Sequence, residues 1–407
     1  MNKITKIIAE EIKDSRGNPT IKTTVFCGEK FASFSVPSGA STGAHEAHEL
    51  RDEDGKGVKI AIDKVNNAIA PLLLGQDVFN QMEIDRMMIE LDGTYNKDNL
   101  GANSMVGVSI ACAKVAAILS GKEIFEYLQT LAQIKHSRKV PYLYMNLING
   151  GKHAHNNLVF QEYMIVPDTD NAKEAVEIGI KIQNSLREII INELGRESII
   201  LGDEGGFAPK ISDIKQPLFY LNKAIKENHL EGRVRFAMDV ASSSFYGGET
   251  YIINGKDTKK EELLDFYNSL VKEFGLFSIE DPFDEEDFDS FKKLKNDNKN
   301  LLVVGDDLTV TNISLLEKAI KKDSINAIII KPNQIGTLSE TLKAMQLARE
   351  NGVEIIVSHR SGETDDDFIA DLAFAFKCFG LKAGAPAKPE RMIKYQRLMQ
   401  IASRSSA

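Results

Sequence analysis

Charged side chains follow six short apolar runs in the second half of the sequence, at the position where each run ends. One aspartate after a strand is ordinarily a turn residue. Six such endings, 23 to 41 positions apart, instead indicate a chemical site whose groups come from successive structural units. The charged groups at these endings are Asp239, Glu280, Asp306, Lys331, His359 with Arg360, and Lys382.

Three of the endings are carboxylates, which repel one another and raise each other's pKa unless a cation lies between them. Oxygen ligands suit a hard cation, and a site with room for substrate oxygens favours Mg²⁺ over Zn²⁺. We therefore expect Asp239, Glu280 and Asp306 to bind Mg²⁺. Asp281 and Asp307 stand next to two of them, and the spacing alone leaves open which member of each pair binds the metal.

Two of the endings are lysines, which are unusual at the end of a buried strand. Close to a metal ion and to Lys382, the charged form of Lys331 is disfavoured, so a neutral amine becomes accessible. A neutral amine beside a metal ion can act as a general base that removes a proton next to a carboxylate. The sequence therefore predicts proton abstraction by Lys331.

Short apolar runs alternate with amphipathic helical patterns after residue 141, which predicts βα units. Runs without polar alternation indicate strands that are buried on both faces, as in parallel sheets. The six runs and an opening pair, PYLYMNLI and EYMIV, make eight strands. No G-x-G-x-x-G turn supports the alternative, a doubly wound open sheet, so we predict a closed α/β barrel of parallel strands. All the charged endings would then lie at its C-terminal rim.

The part of the chain before this alternation has a mixed pattern. ITKIIAEEI and TIKTTVFC predict a hairpin around Gly17, and helical patterns follow. The polar stretch QIKHSRKVP at 133–141 is the best candidate for a domain boundary. A chain of 407 residues is also too long for one core of usual size. We therefore predict a smaller α+β domain at 1–132 and the barrel at 133–407.

Composition argues against several classes of protein. A net charge of −9 makes nucleic acid and anionic membranes poor partners. The longest apolar stretch, 106–119, contains Lys114 and is too short to span a bilayer. No signal-peptide pattern opens the sequence, and three distant cysteines in no metal-like spacing indicate free thiols in a reducing compartment. We expect a cytoplasmic protein.

Several short segments around the candidate residues form a characteristic series: SGASTG, NGGKHA, QEYMIVP, GDEGGFAP, AMDVAS, SIEDPF, VVGDDLTVTN, KPNQIGTLSE and SHRSGET. The series extends from DSRGNPT at 14–20 to GAPAKPER at 384–391. In content and order it resembles the enolase family, and the combination is very specific. One departure is Lys388-Pro389 in GAPAKPER, where that family commonly has arginine and serine.

The resemblance implies an enolase-type barrel and the reversible dehydration of 2-phosphoglycerate to phosphoenolpyruvate, in glycolysis and gluconeogenesis, with two Mg²⁺ ions in each active site. It implies that Lys331 removes the C2 proton. Glu204, in GDEGG, would protonate the departing hydroxyl with help from Glu162. Members of the family are commonly homodimers or larger homo-oligomers, so we expect an oligomer whose size is not readable from the sequence.

The same resemblance implies the remaining site residues. The first Mg²⁺ would bind to Asp239, Glu280 and Asp306, the first aspartate of GDD. Ser41, in the SGASTG loop, would close over the substrate and help to bind a second Mg²⁺. The residues that would hold the phosphate and carboxylate of the substrate are His153, Gln161, Lys331, His359, Arg360, Ser361 and Lys382.

Two alternatives belong to other functions. One is another proton-abstracting enzyme of the same superfamily, such as a sugar-acid dehydratase or a cycloisomerase. Those enzymes generally place a K-x-K lysine pair on an early barrel strand, where this chain has QEY. The other is a binding role, such as docking to an RNA-processing complex or a cell-surface receptor, with a secondary surface or secreted pool. Every chemical residue is present, which favours an active enzyme.

Overall fold

Residues 2–40 and 42–404 are described by the computed structural model of the chain. The predicted site residue Ser41 lies outside the described residues. A three-stranded antiparallel sheet with helices forms the N-terminal part, and a closed eight-stranded barrel follows it. The predicted fold class, an α/β barrel with a smaller α+β N-terminal domain, is therefore confirmed.

The N-terminal sheet is a meander of strands β1 (Lys6–Lys13), β2 (Pro19–Cys27) and β3 (Lys30–Ser35). The predicted hairpin is β1–β2, and its turn requires Gly17, whose φ is +81°. From Ile21 onward β2 alternates between buried and partly exposed residues, as expected for a half-buried strand. The sequence pattern did not predict β3, because KFASFS is short and mixed in polarity.

Helices complete the N-terminal part: α1 (Lys59–Asp63), α2 (Ala70–Leu73), α3 (Gln81–Asp92), α4 (Ala102–Leu119) and α5 (Ile124–Leu131), with a π-helical stretch, Lys64–Ile69, between α1 and α2. The central helix α4 packs against β2 and β3. By length and composition alone α4 could cross a membrane, but 83% of it is buried inside the protein. Core helices of soluble proteins have the same composition.

The barrel consists of β4 (Tyr142–Asn149), β5 (Glu162–Pro167), β6 (Val234–Asp239), β9 (Leu276–Glu280), β10 (Leu302–Gly305), β11 (Ala327–Ile330), β12 (Glu354–Ser358) and β13 (Gly380–Lys382). Each corresponds to one of the eight predicted barrel strands. Their order around the barrel is β10, β11, β12, β13, β4, β5, β6, β9. Two short strands between β6 and β9, β7 (Tyr251–Ile253) and β8 (Lys256–Thr258), form a separate hairpin.

One barrel strand runs against the others. β5 pairs antiparallel with both β4 and β6, whereas the remaining barrel pairs are parallel. The prediction that all eight strands are parallel is therefore wrong at β5. The segment between β4 and β5 contains only a 3₁₀ turn, Gly151–His153, and no helix that could return the chain for a parallel pairing. As a result Glu162, the first residue of β5, lies at the rim where the other strands end.

Eight helices surround the barrel: α6 (Ala172–Leu194), α7 (Gln216–Glu227), α8 (Lys260–Phe274), α9 (Phe288–Asp297), α10 (Ile313–Lys322), α11 (Leu338–Glu350), α12 (Phe368–Ala375) and α13 (Pro389–Arg404). Side-chain caps begin four of them, at Asn171, Asp287, Asn312 and Thr337. Such caps accept hydrogen bonds from the otherwise unpaired first amides of a helix. Further 3₁₀ turns lie at Arg196–Ser198, Ser242–Phe245 and Pro332–Gln334.

The barrel has an apolar cluster of its own, apart from the larger core that its helices share with the N-terminal part. Its buried residues come from six barrel strands and include Tyr144, Met164, Ile329 and Ile356. Side chains that fill the interior make the barrel a packed core and not a pore. The charged residues of the predicted site lie at the rim, where the strands end.

The loop after β3 packs on this rim. Ser38 and Gly362 exchange backbone hydrogen bonds of 2.8 and 2.9 Å, and the Ala40 amide donates to Ser361 Oγ at 2.6 Å. The N-terminal part therefore covers the mouth of the barrel. The segment 132–141, between α5 and β4, has no helix or strand. We propose the domain boundary at its start, after residue 132, as the sequence predicts.

Candidate active site

A cavity that opens to solvent lies at the barrel rim. Among the described residues, every predicted site residue except Glu280 lines it, and Glu280 is buried beside it against Lys382. The structure therefore brings the predicted residues together. Those that line the cavity are His153, Gln161, Glu162, Glu204, Asp239, Asp306, Lys331, His359, Arg360, Ser361 and Lys382.

The ammonium of Lys382 lies among three carboxylates. Its Nζ atom is 3.0 Å from Asp239 Oδ2, 2.9 Å from both oxygens of Glu280 and 3.2 Å from Glu162 Oε2. Burial alone would lower the pKa of Lys382, but these carboxylates outweigh it and raise that pKa well above its usual value. Burial, followed by the charge of Asp239, raises the pKa of Glu280 well above its usual range. The carboxylates thus require a positive charge between them.

Lys331 makes a second contact of this kind. Its ammonium donates a hydrogen bond to Asp306 Oδ2, and Gln334 Nε2 donates to the other oxygen at 2.9 Å. Burial lowers the pKa of Lys331, as do the charges of Arg360 and Lys382, yet the carboxylates of Asp306 and Glu280 act in the opposite direction and the pKa is raised. The protein residues alone therefore favour the ammonium form of Lys331. The expectation that a metal ion and Lys382 together disfavour this form stays a prediction.

Asp281 has a backbone role that separates it from Glu280. Its φ is +42°, in the left-handed region, and its two oxygens accept hydrogen bonds from the amides of Asp306 and Asp307, at 3.0 and 2.7 Å. Both oxygens are therefore engaged in holding the chain after β10. This geometry favours Glu280 over Asp281 as a metal ligand. In the second pair, Asp306 and Asp307, the member that accepts hydrogen bonds from Lys331 and Gln334 is Asp306.

The carboxylates fit a hard divalent cation. Asp239, Glu280 and Asp306 end or follow three neighbouring strands, β6, β9 and β10, and Asp239 is directly opposite Glu280. All three are buried, and each contacts a lysine ammonium. A set of oxygen donors that needs positive charge matches the ligand preference of Mg²⁺.

A second group of acids surrounds His153. Its Nδ1 atom is 3.4 Å from Glu162 Oε1 and 3.5 Å from Glu204 Oε1. Burial, followed by the charge of Glu204, raises the pKa of Glu162 well above its usual range. Burial opposes ionisation of Glu204 too, but the imidazoles of His359 and His153, together with the positive charges of Arg391 and Lys382, outweigh it and hold its pKa well below the usual range. Of the two carboxyl groups, Glu162 is therefore the one on which a proton is favoured, and Glu204 the one that ionises more easily.

The loop after β12 supplies Arg360 and Ser361. The guanidinium of Arg360 donates to both oxygens of Glu46, at 3.0 and 3.2 Å, and Glu46 belongs to the N-terminal part that covers the rim. The Arg360 amide donates to Glu363 at 3.0 Å. Near β5, Gln161 donates to Asp239 at 3.3 Å. The loop thus presents a buried guanidinium to the cavity, a group suited to phosphate.

Two sequence-family models match the chain, one described as the enolase N-terminal domain over residues 4–128, the other as the enolase C-terminal TIM barrel domain over residues 111–406. The chain belongs to the enolase family. Curated enolases are similar along nearly their whole length, each match covering 98% of this chain and 94% of the relative. They include those of Methanocaldococcus jannaschii (46% identical over 404 residues), Methanosarcina barkeri (47% over 406) and Thermococcus kodakarensis (45% over 409).

The predicted family, fold class and enzyme class are therefore confirmed: the chain is a member of the enolase (phosphopyruvate hydratase) family of hydro-lyases. The roles assigned to single residues stay predictions.

Some residues that shape this enolase-family site were not predicted from the sequence. Asn146 Nδ2 donates to Glu204 Oε2 at 2.8 Å, and a buried polar residue inside the apolar run PYLYMNLI was a signal for it. Gln334 lies in KPNQIG, three residues after the strand-end lysine Lys331. Glu46 gave no signal, because a lone glutamate in a polar loop usually faces solvent.

Proposed function

We propose that this protein catalyses the reversible loss of water from 2-phosphoglycerate to give phosphoenolpyruvate. The observation that supports this most directly is the placement of a base and an acid. Lys331 and the pair Glu162–Glu204 line the same cavity, and strands β11 and β5 are four positions apart in the ring of eight. An amine on one side of a substrate and a carboxyl pair on the other suit the removal of a proton from one carbon and of hydroxide from the next.

Lys331 would remove the C2 proton. The amine must be neutral to accept it, whereas contact with Asp306 favours the ammonium. When Asp306 is engaged elsewhere, the positive charges of Arg360 and Lys382, which lower the pKa of Lys331, favour the neutral amine. Whether Lys331 can act as a base therefore depends on whether Asp306 is bound to another group.

Mg²⁺ would be held by Asp239, Glu280 and Asp306, and a second ion by a group that includes Ser41, giving two ions per active site. The binding of the first Mg²⁺ is supported by the three buried carboxylates at the ends of neighbouring strands. When bound, Mg²⁺ supplies positive charge that offsets the negative charge gained by the substrate carboxylate as its neighbouring proton leaves.

Glu204 would protonate the departing hydroxyl, and Glu162 would hold the proton beforehand. Two carboxyl groups this close share a proton because they do not both ionise easily. His153 lies beside both groups, and Asn146 fixes one oxygen of Glu204. In the reverse reaction the ionised Glu204 would accept a proton from the attacking water.

The phosphate and carboxylate of the substrate would be held by cationic and polar side chains around the cavity. Arg360 suits the phosphate because a guanidinium forms two parallel hydrogen bonds with such an anion. A phosphate at Arg360 would compete with Glu46 for the guanidinium. The other proposed contacts are His153, Gln161, Lys331, His359, Ser361 and Lys382.

We also propose a magnesium-dependent, cytoplasmic homo-oligomer, a homodimer or a larger assembly, that acts in glycolysis and gluconeogenesis. The net charge of −9 and the three buried free cysteines support a reducing compartment without anionic macromolecular partners. The oligomer rests on the resemblance to the family alone.

The test is the absorbance of phosphoenolpyruvate formed from 2-phosphoglycerate, with Mg²⁺ and in excess EDTA. We expect turnover with Mg²⁺, none in EDTA, and recovery when Mg²⁺ is restored. Lys331→Ala, purified in the same way, controls for contaminating enzyme. Full turnover in EDTA would contradict the metal assignment. A folded protein that forms no phosphoenolpyruvate with Mg²⁺ would contradict the proposed activity and favour a sugar-acid substrate or a binding role.

A further inference from the structure

A fully buried arginine links the proposed acid to the last helix of the barrel. Arg391, in α13, has no exposed side-chain surface. It donates hydrogen bonds to the carbonyl oxygens of Arg360 and Ser361, both at 2.7 Å, and of Asp203 at 3.3 Å. It also contacts Nδ1 of His359. Its partners thus belong to the two loops that carry Glu204 and the proposed phosphate site.

The contact with His359 fixes which ring nitrogen carries the proton. A guanidinium has only donors, so the Nδ1 atom that it contacts must be the unprotonated acceptor. A neutral imidazole then carries its proton on Nε2. That nitrogen is 3.3 Å from Glu204 Oε1, and it has no hydrogen-bond partner within the described residues. Burial, together with the charge of Arg391, keeps the pKa of His359 well below its usual value, so the ring is neutral.

We propose that Arg391 is a positioning residue for Glu204. By holding His359 as the Nε2–H tautomer, it directs an N–H donor toward the carboxyl group that protonates the leaving hydroxyl, and it fixes the loop of that carboxyl group through Asp203. The inference rests on the proposed function, because it assigns Glu204 as the acid. Burying an arginine without a carboxylate partner is costly, and this role supplies a reason for its presence.

A purely structural role for Arg391 makes a different prediction, and the chain offers a matched control. Lys388 Nζ donates to the same carbonyl oxygen, that of Asp203, at 3.1 Å, but Lys388 makes no contact with His359. If Arg391 acts only by holding the loop that carries Glu204, Lys388→Met should cause part of the loss of kcat that is seen when Arg391 is replaced. If the tautomer matters, only the Arg391 variants should show it.

The experiment begins with the wild-type protein labelled with ¹⁵N-histidine. Proton–nitrogen NMR across imidazole couplings reports which ring nitrogen is protonated, and the His359→Gln spectrum assigns the signal. We expect Nε2–H and a bare Nδ1 at neutral pH. A protonated Nδ1 would overturn the proposal. This measurement needs no enzymatic turnover, so it decides the tautomer even if the proposed reaction is wrong.

Variants then test the consequence. Arg391→Lys keeps the charge but not the planar fork, and Arg391→Met removes both. In the variants that stay folded we expect the Nδ1–H tautomer to appear and kcat to fall about 10-fold or more with little change in KM, because a general acid contributes about 10²- to 10⁴-fold. Lys388→Met should keep the wild-type tautomer and kcat within about 2-fold. Equal losses in Lys388→Met and Arg391→Lys, with an unchanged tautomer, would overturn the proposal.

Discussion

Glu162 and Asp239 are directly opposite each other in the antiparallel pair β5–β6, although Glu162 begins its strand and Asp239 ends its own. Asp239 is in turn opposite Glu280 in the parallel pair β6–β9. Three carboxyl groups therefore lie side by side at one level of the rim, and the ammonium of Lys382 is within 3.2 Å of each. Because β5 runs antiparallel to its neighbours, Glu162 of the proposed acid pair lies beside the proposed metal ligands Asp239 and Glu280.

The two aspartates of GDD should differ in their effect on the metal. Asp306→Asn removes one proposed ligand charge, so we expect the Mg²⁺ concentration for half-maximal activity to rise about 10-fold or more. It also breaks the buried ion pair with Lys331, so we expect the protein without metal to lose stability as well. Asp307→Asn is the matched control, because Asp307 lines the same cavity but does not contact Lys331. Mg²⁺ titrations of both variants make the comparison. A larger shift in Asp307→Asn would assign the metal to the second aspartate.

Substitutions of Asp281 and Glu280 should have different effects, the first on stability and the second on metal binding. Asp281→Asn loses one of the two acceptors for the amides of Asp306 and Asp307. An unpaired buried amide costs about 1–3 kcal/mol, so we expect the free energy of unfolding in urea to fall by that amount. Glu280→Gln should instead raise the Mg²⁺ requirement. The assignment fails if Asp281→Asn has the stronger effect on the Mg²⁺ titration.

Acid and base should be separable by isotope exchange. If Lys331 removes the C2 proton, Glu204→Gln should still exchange the C2 proton of 2-phosphoglycerate with solvent deuterium, although it forms little phosphoenolpyruvate. Lys331→Ala should not exchange that proton. Proton NMR of the recovered substrate measures the exchange. The opposite pattern would mean that the two roles are reversed.

Lys382 should contribute to stability most strongly in the absence of metal. Lys382→Met leaves Asp239, Glu280 and Glu162 without their shared ammonium, and breaking a buried ion pair costs about 3–5 kcal/mol. We expect a loss of this size in urea unfolding with EDTA and a smaller loss with Mg²⁺. Lys388→Met, a partly exposed lysine on the same side of the fold, is the control. An equal loss with and without Mg²⁺ would argue against metal at these carboxylates.

The strand-end residues of the site could be predicted from the sequence because their strands are apolar, short and regularly spaced. Asp239, Glu280, Asp306 and Lys331 all end or follow such runs. The direction of β5 could not be predicted, because EYMIV is buried along its whole length and an apolar run has the same pattern in either direction. Local pattern therefore locates strands but does not orient them.

Glu204 and Arg391 show a different limit. Glu204 lies in a loop without periodicity, so only the GDEGG motif indicated it. Arg391 is part of GAPAKPER, yet a helical arginine usually faces solvent. Its burial depends on carbonyl groups 30 and 188 residues away in the chain. Such long-range polar contacts leave no local signal in a sequence.

Helix α13 follows every barrel strand in the chain, and Arg391 and Lys394 are both buried in it. Lys394 contacts Glu363 at 2.7 Å, and Glu363 accepts the Arg360 amide. During translation, the loop that carries His359 and Arg360 therefore leaves the ribosome before the side chains that hold it in place. A nascent chain therefore gains the buried contacts that hold this loop only after α13 has emerged.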